Sequence, residues 1–153
     1  MARKDEAYVD TSALIALCDR SDTYHALFRR LFSDPPALVT TALVIGEGHA
    51  WFARRFDVTR GLRFLAMIDA LTPLRTVSVG RREQDAGVQL LQRYSDQRLT
   101  LADAVGLHVM ENRKIRSCWS TDRHLGLTGV PLVIHKGRAV HDRRVEQRQV
   151  AGR

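Results

Sequence analysis

Cysteine is scarce in this 153-residue chain: Cys18 and Cys118 are its only two, and their separation is not of the metal-ligand kind. Both lie in apolar surroundings and read as buried, reduced thiols. No apolar run approaches the ~18 residues of a membrane span, which excludes a spanning helix. Arg3, Lys4, Asp5 and Glu6 crowd the start and no apolar segment follows them, so no secretory signal is read and a soluble, cytoplasmic protein is expected. A phosphate-cradling glycine loop, a nucleophile elbow and a dinucleotide glycine fingerprint are all missing. Internal repeats, low-complexity runs and linkers are absent. The six histidines, His25, His49, His108, His124, His135 and His141, show no zinc spacing and read as surface or packing residues.

Apolar residues make up 44% of the chain, enough for one domain with a real core. The formal net charge is +7 and the isoelectric point about 10.2, which favours a polyanionic partner. Arginine outnumbers lysine by 21 to 3. Phosphate recognition by guanidinium forks and genomic base composition account for that bias equally well. The chain divides into a compact part over residues 1–135 and a basic tail over 136–153. The tail holds six basic residues against two acids, so it supplies four of the seven net positive charges. It has little to bury, and it reads either as a solvated tail or as a phosphate-contacting arm.

Apolar periodicity predicts strands at 7–10, 37–40, 74–79, 115–120 and 130–134. It predicts helices at 12–18, 22–33, 42–55, 58–71, 81–94 and 101–112, with a short helical turn after Asp122. Thr11 or Ser12 is expected to cap the first helix, and Ser21 or Asp22 the second, which Pro35-Pro36 then stops. Strands alternating with helices imply parallel pairing, an α/β class and a layered sandwich around a roughly five-stranded sheet.

Four acids sit in non-random places. Asp10 closes the first strand, where open α/β sheets bind ligands; it either caps the next helix or, with Thr11 and Ser12 capping instead, is free for chemistry. Glu47 lies between Gly46 and Gly48 in an otherwise apolar helix. A Glu there needs a partner or a metal unless it reaches water beside a helix-packing glycine pair. Asp103 opens an apolar helix, where it satisfies the helix dipole or points over the sheet edge. Asp122 repeats the setting of Asp10: apolar strand, hydroxyl, acid, helical turn. If the two strands are adjacent, their acids build one site. Such a cluster is strained by like charges, and a bound Mg²⁺ or Mn²⁺ relieves it, since hard cations prefer carboxylate oxygens. A metal site in a basic protein points to nucleic-acid chemistry. Other strand-end aspartate chemistries fit poorly. A haloacid-dehalogenase phosphatase needs an acid where Ser12 stands, and a response-regulator receiver needs a strand-end lysine that is missing.

Four segments carry a family resemblance: V-D-T-S-A-L at 9–14, the lone helical Glu47, T-L-A-D-A at 100–104 and S-T-D-R-H-L at 120–125. In their order and spacing they resemble the PIN-domain family, most closely the VapC-type toxins, from about Tyr8 to Ile134. The resemblance implies a PIN-like α/β/α nuclease domain and Mg²⁺- or Mn²⁺-dependent endoribonuclease activity. It implies that Asp10, Glu47, Asp103 and Asp122 are the catalytic acids, with Asp10, Asp103 and Asp122 as metal ligands and Asp10 and Asp103 the main ones. Thr11 or Ser12, and Ser120, match hydroxyls that support the acids. It further implies an RNA substrate, a homodimer and a cognate antitoxin. No side-chain nucleophile is then needed, because the cation activates a water. Arg123 and His124 become candidate RNA contacts, as do Arg54, Arg55, Arg81 and Arg82. Leu125 departs from the aromatic that often follows the D-R-H signature, and the basic tail runs past the usual end of the domain. The competing expectation is a PIN-like RNA-binding module without cleavage.

Overall fold

The computed structural model describes residues 5–135, and the basic tail lies outside them. Its elements follow in the order β1 (Glu6–Val9), α1 (Thr11–Cys18), α2 (His25–Leu31), β2 (Ala37–Thr41), α3 (Ala42–Arg55), α4 (Val58–Ala70), β3 (Leu74–Val77), α5 (Arg81–Arg93), α6 (Leu101–Arg113), β4 (Cys118–Trp119) and a 3-10 turn (Arg123–Gly126). All four strands are parallel, in the order β3-β2-β1-β4.

The central strands read as continuous apolar runs because both of their faces are covered. Ala7, Tyr8 and Val9 are buried, as are Leu38, Val39, Thr40 and Thr41. Successive side chains point to opposite faces, and two contacts identify what covers each. Tyr8 lies against α6, where a Cβ placed on Gly106 would come within 2.6 Å of the phenol oxygen. Trp119, registered with Val9 on the neighbouring strand, meets Phe32 at the end of α2 edge-on, with ring centroids 4.9 Å apart. Helices therefore lie on both sides of the sheet, as the sequence predicts. The helix α6 is the most deeply set: eight of its residues from Ala102 to Met110 are buried. On the other flank α3 and α4 pack as a pair. Gly48 permits this, since a Cβ there would stand 2.4 Å from the ring of Phe64.

The sheet has four strands where five are expected. The 130–134 segment contributes only a parallel bridge between Cys118 and Leu132. Gly129 adopts a positive φ of 91°, Pro131 has no N–H to donate, and residues 133–135 turn helical. The strand expected at 115–120 shrinks to two residues. The chain leaves α6 through Lys114 in the left-handed conformation, and the Ile115 N–H bonds back to the Met110 carbonyl. The expected 74–79 strand ends at Val77. The second helix starts at His25 rather than 22, because the Asp22 carboxylate accepts the Tyr24 N–H in a tight turn instead of capping a helix.

Candidate active site

The carboxyl ends of β1 and β4 lie side by side, with Val9 registered against Trp119. Asp10 and Ser120 immediately follow them. Asp10 is buried, and it caps α1 itself, in place of the expected Thr11 or Ser12. The reason is visible in its bonds. The Ser12 and Ser120 hydroxyls each donate to Asp10 Oδ2 at 2.8 Å, and the Ser12 N–H lies 3.5 Å from the same atom. Each hydroxyl carries one proton, so with both aimed at Oδ2 the 3.1 Å approach of the two serine oxygens is a packing contact. The serines accept in turn: Ser12 Oγ takes the Thr121 N–H at 3.0 Å and Ser120 Oγ takes the Asp122 N–H at 2.9 Å. One small network thus fixes Asp10 and the backbone that presents Asp122.

Asp103 occupies the third position of α6 and forms a reciprocal cap with Thr100. Its Oδ2 accepts the Thr100 N–H at 2.9 Å, and its own N–H donates to Thr100 Oγ1 at 3.1 Å. Asp122 Oδ1 accepts the His124 N–H at 2.9 Å and lies 2.7 Å from His124 Nδ1. Glu47, half-buried on α3, accepts the Thr11 hydroxyl at 3.0 Å and so joins the group through the residue next to Asp10. The glycines flanking it differ in role. Gly48 serves the α3–α4 packing, whereas a Cβ on Gly46 would meet nothing within 4 Å.

The three aspartates share a pattern. Each has one carboxylate oxygen held by protein donors: Oδ2 in Asp10 and Asp103, Oδ1 in Asp122. Among the described residues no hydrogen bond within 3.5 Å reaches the other oxygen of each, although the Thr11 N–H also acts on the Asp10 carboxyl and lowers it. Their charges are in mutual reach. Burial first, and then the charges of Asp10 and Asp122, push the Asp103 carboxyl up from 3.8 to about 6, against the lowering effect of the Thr100 bonds. Burial likewise raises Asp10, although its serine hydrogen bonds oppose the rise. Buried beside them, the Cys118 thiol is pushed well above its ordinary value, chiefly by burial and then by Asp10 and Asp122, and stays protonated. Hard oxygen donors, one unbonded oxygen per aspartate and an uncompensated repulsion together fit a divalent cation. Among the described residues no three such side chains already close on one point. Asp10, Asp103 and Asp122 are the residues that would hold such an ion, and it would supply the positive charge that their repulsion lacks.

Thr11, Ser12 and Ser120 link Glu47, Asp10 and the backbone of Asp122 by hydrogen bonds, and Asp103 lies within reach of the charges of Asp10 and Asp122. His124, an expected phosphate contact, lies with its Nδ1 2.7 Å from Asp122 Oδ1, and Arg123 beside it is exposed. Arg81 is paired with Asp85 on the surface of α5. The sequence reading omits two features. Thr100 anchors Asp103, a pairing signalled by the Thr-x-x-Asp spacing at 100–103. Trp51 lines a groove of about 670 Å³ that runs from Thr11 and Glu47 along α3 to Arg54 and Arg55.

Comparison with known proteins agrees with this fold. Residues 7–129 match the PIN domain. Ribonuclease VapC26 of Mycobacterium tuberculosis is 28% identical over 116 residues, spanning 75% of this chain and 85% of the relative. The 23S rRNA-specific endonuclease VapC20 of the same species is 28% identical over 123 residues, spanning 80% and 93%. The crystal structure of VapC20, a sarcin-ricin loop cleaving toxin, superposes with a TM-score of 0.74 at 25% identity, covering 82% of this chain and 96% of that one. A toxin–antitoxin complex from Klebsiella pneumoniae shares the fold, with a TM-score of 0.57 at 23% identity over 83% of this chain and 95% of its own. The parallel sheet, the aspartates at its carboxyl edge and the match over residues 7–129 agree: this chain belongs to the PIN-domain family.

Proposed function

We propose that this chain is a divalent-metal-dependent endoribonuclease, the toxin of a toxin–antitoxin pair, that hydrolyses RNA phosphodiester bonds. The observation that carries this reading is the set of three aspartates, Asp10 and Asp122 past the carboxyl ends of β1 and β4 and Asp103 at the start of α6, close enough for their charges to act on one another. The named relatives support it, since they are a ribonuclease and a ribosomal-RNA endonuclease.

In this reading Asp10, Asp103 and Asp122 hold Mg²⁺ or Mn²⁺, and Glu47 completes the acidic site from α3. When bound, such an ion lowers the pKa of a water and stabilises charge on the phosphate and the leaving oxygen. The chain's own residues set the stage. Ser12 and Ser120 fix the Asp10 carboxylate, Thr100 fixes Asp103, His124 fixes Asp122, and Thr11 fixes Glu47. A bound cation would offset the burial and the neighbouring charges that raise the Asp103 carboxyl. Exposed arginines, Arg123 among them, contact RNA phosphates without reading bases.

The same reading assigns residues 1–135 to the nuclease domain, with the tail from 136 as an added arm. It places the protein in the cytoplasm, as a homodimer, with a cognate antitoxin as partner. An antitoxin arginine suits the four acids electrostatically and would silence them by occupying the cation's place. No helix among the described residues is long and apolar enough to cross a membrane. The test is cleavage by Asp10→Asn and Asp103→Asn, each checked for folding by circular dichroism. Cleavage is expected to vanish in both, and full activity in both overturns the four-acid reading.

A further inference from the structure

We propose that the groove along α3 is the track on which single-stranded RNA lies as it enters the acidic site, with Trp51 as its base-stacking residue and Arg54 and Arg55 as its phosphate clamps. This rests on the ribonuclease reading and adds where the substrate lies.

Thr11 and Glu47, bonded to each other, line the groove next to Asp10 in the chain; Trp51, Arg54 and Arg55 line it one to two turns further along α3. The spacing follows from the helix: Glu47, Trp51 and Arg55 fall at i, i+4 and i+8, so they lie on one face of α3. Gly46 leaves open space where a side chain would otherwise narrow the passage. Trp51 is partly exposed, and its ring is steadied edge-on by Phe52 at 4.8 Å and Phe56 at 6.0 Å. A ring immobilised in this way offers a stacking surface at little cost in side-chain entropy.

The charges favour RNA as the occupant. Neither Arg54 nor Arg55 forms an ion pair within 4 Å among the described residues, in contrast to Arg81 and Arg113, although Arg55 is near enough to Asp19 to lower its carboxyl slightly. The Arg55 guanidinium lies 5.8 Å from the Phe56 ring centroid, so it is held near the groove's far end while its donors stay available. Glu47 is the only acid in the groove's lining, and it is bonded to Thr11, the residue next to Asp10. A cationic track with one aromatic face, leading to a metal-type acid cluster, is the combination that sequence-tolerant single-strand binders use. A duplex would not fit this use of Trp51, because its bases are already stacked on each other.

The test separates binding from cleavage. A fluorescent, unstructured RNA oligonucleotide is titrated into the full chain in EDTA, where metal-dependent cleavage cannot proceed. Trp51→Leu, Trp51→Phe, the double variant Arg54→Gln/Arg55→Gln and, as a control on the opposite end of the sheet, Arg116→Gln are compared. Each variant's thermal midpoint is recorded alongside. Trp51→Leu is expected to weaken binding roughly 5- to 150-fold, the usual loss of one base–aromatic stack, and Trp51→Phe far less. The double arginine variant is expected to flatten the dependence of log affinity on log salt by roughly 1.4, about 0.7 for each phosphate that is no longer neutralised. Arg116→Gln is expected to bind as the parent does. Parent-like binding and salt dependence in both Trp51→Leu and the double variant overturns the proposal, as does a parent protein that binds no RNA. Cleavage that survives with these variants unimpaired leaves the ribonuclease reading standing without the track. Binding that depends on the track, without cleavage under Mg²⁺ or Mn²⁺, overturns the ribonuclease reading and keeps the track.

Discussion

Replacing Asp103 with Asn is expected to stabilise the metal-free protein at neutral pH while abolishing cleavage. Burial, followed by the charges of Asp10 and Asp122, raises the Asp103 carboxyl from 3.8 to about 6. The folded value lies above the unfolded one, so the stability tied to the protonated carboxyl is fully present below about pH 4. It is lost as the pH rises through about 6. Keeping this carboxylate ionised at neutral pH therefore costs the fold at most about 3 kcal/mol, and less once solvent screening of the partly exposed carboxyl is counted. Asn removes that cost and keeps an oxygen able to accept the Thr100 N–H, although the bond loses its charge assistance, a loss of about 1 kcal/mol. The net gain near pH 7.5 is about 1–2 kcal/mol, which for a chain of this size is a rise of roughly 3–6 °C in melting temperature. Near pH 4.5 the parent's carboxyl is largely protonated, so the advantage disappears. Thermal melts of both proteins in EDTA at the two pH values measure this directly. A variant no more stable than the parent near pH 7.5, or a difference that does not change with pH, refutes the electrostatic reasoning.

Three further outcomes are expected. Ser120→Ala removes a fully buried hydroxyl that donates to Asp10 and accepts the Asp122 N–H; it should cost about 1–3 kcal/mol in urea unfolding and slow cleavage as well. His124→Ala frees the Asp122 carboxylate and should weaken metal-dependent activity roughly 10- to 100-fold, read as a shift in the Mg²⁺ concentration for half-maximal rate, with little change in melting temperature. Gly106→Ala drives a methyl group to within 2.6 Å of the Tyr8 oxygen in the core and should cost about 1–3 kcal/mol, whereas Gly46→Ala, with nothing within 4 Å, should not destabilise the fold.

The acids were legible because their positions are dictated by the backbone. A carboxylate after a buried parallel strand stands at the ligand edge of the sheet, whatever surrounds it, and both Asp10 and Asp122 obey that rule. Asp103 was legible for a different reason, as an acid in the first turn of an apolar helix. The hydroxyls were harder. Asp10 rather than Thr11 or Ser12 caps α1, because Ser120, just past a strand more than a hundred residues away, completes its hydrogen bonds, and local pattern carries no trace of that partner. The fifth strand failed for a similar reason. The segment V-P-L-V-I has strand composition, but Pro131 removes a donor and the chain turns helical after a single bridge. Trp51 escaped notice because a tryptophan in an apolar helix looks like core; only the packing of α3 shows that it borders a groove.

The most direct measurement is incubation of the purified, partner-free protein with total bacterial RNA, with and without Mg²⁺ or Mn²⁺, mapping every new RNA end and running Asp10→Asn alongside. A few discrete cuts that need the metal and vanish in Asp10→Asn are the expected result. A folded protein that makes no cut with either metal, or cuts equally well as Asp10→Asn, contradicts the assignment of these carboxylates as a ribonuclease centre.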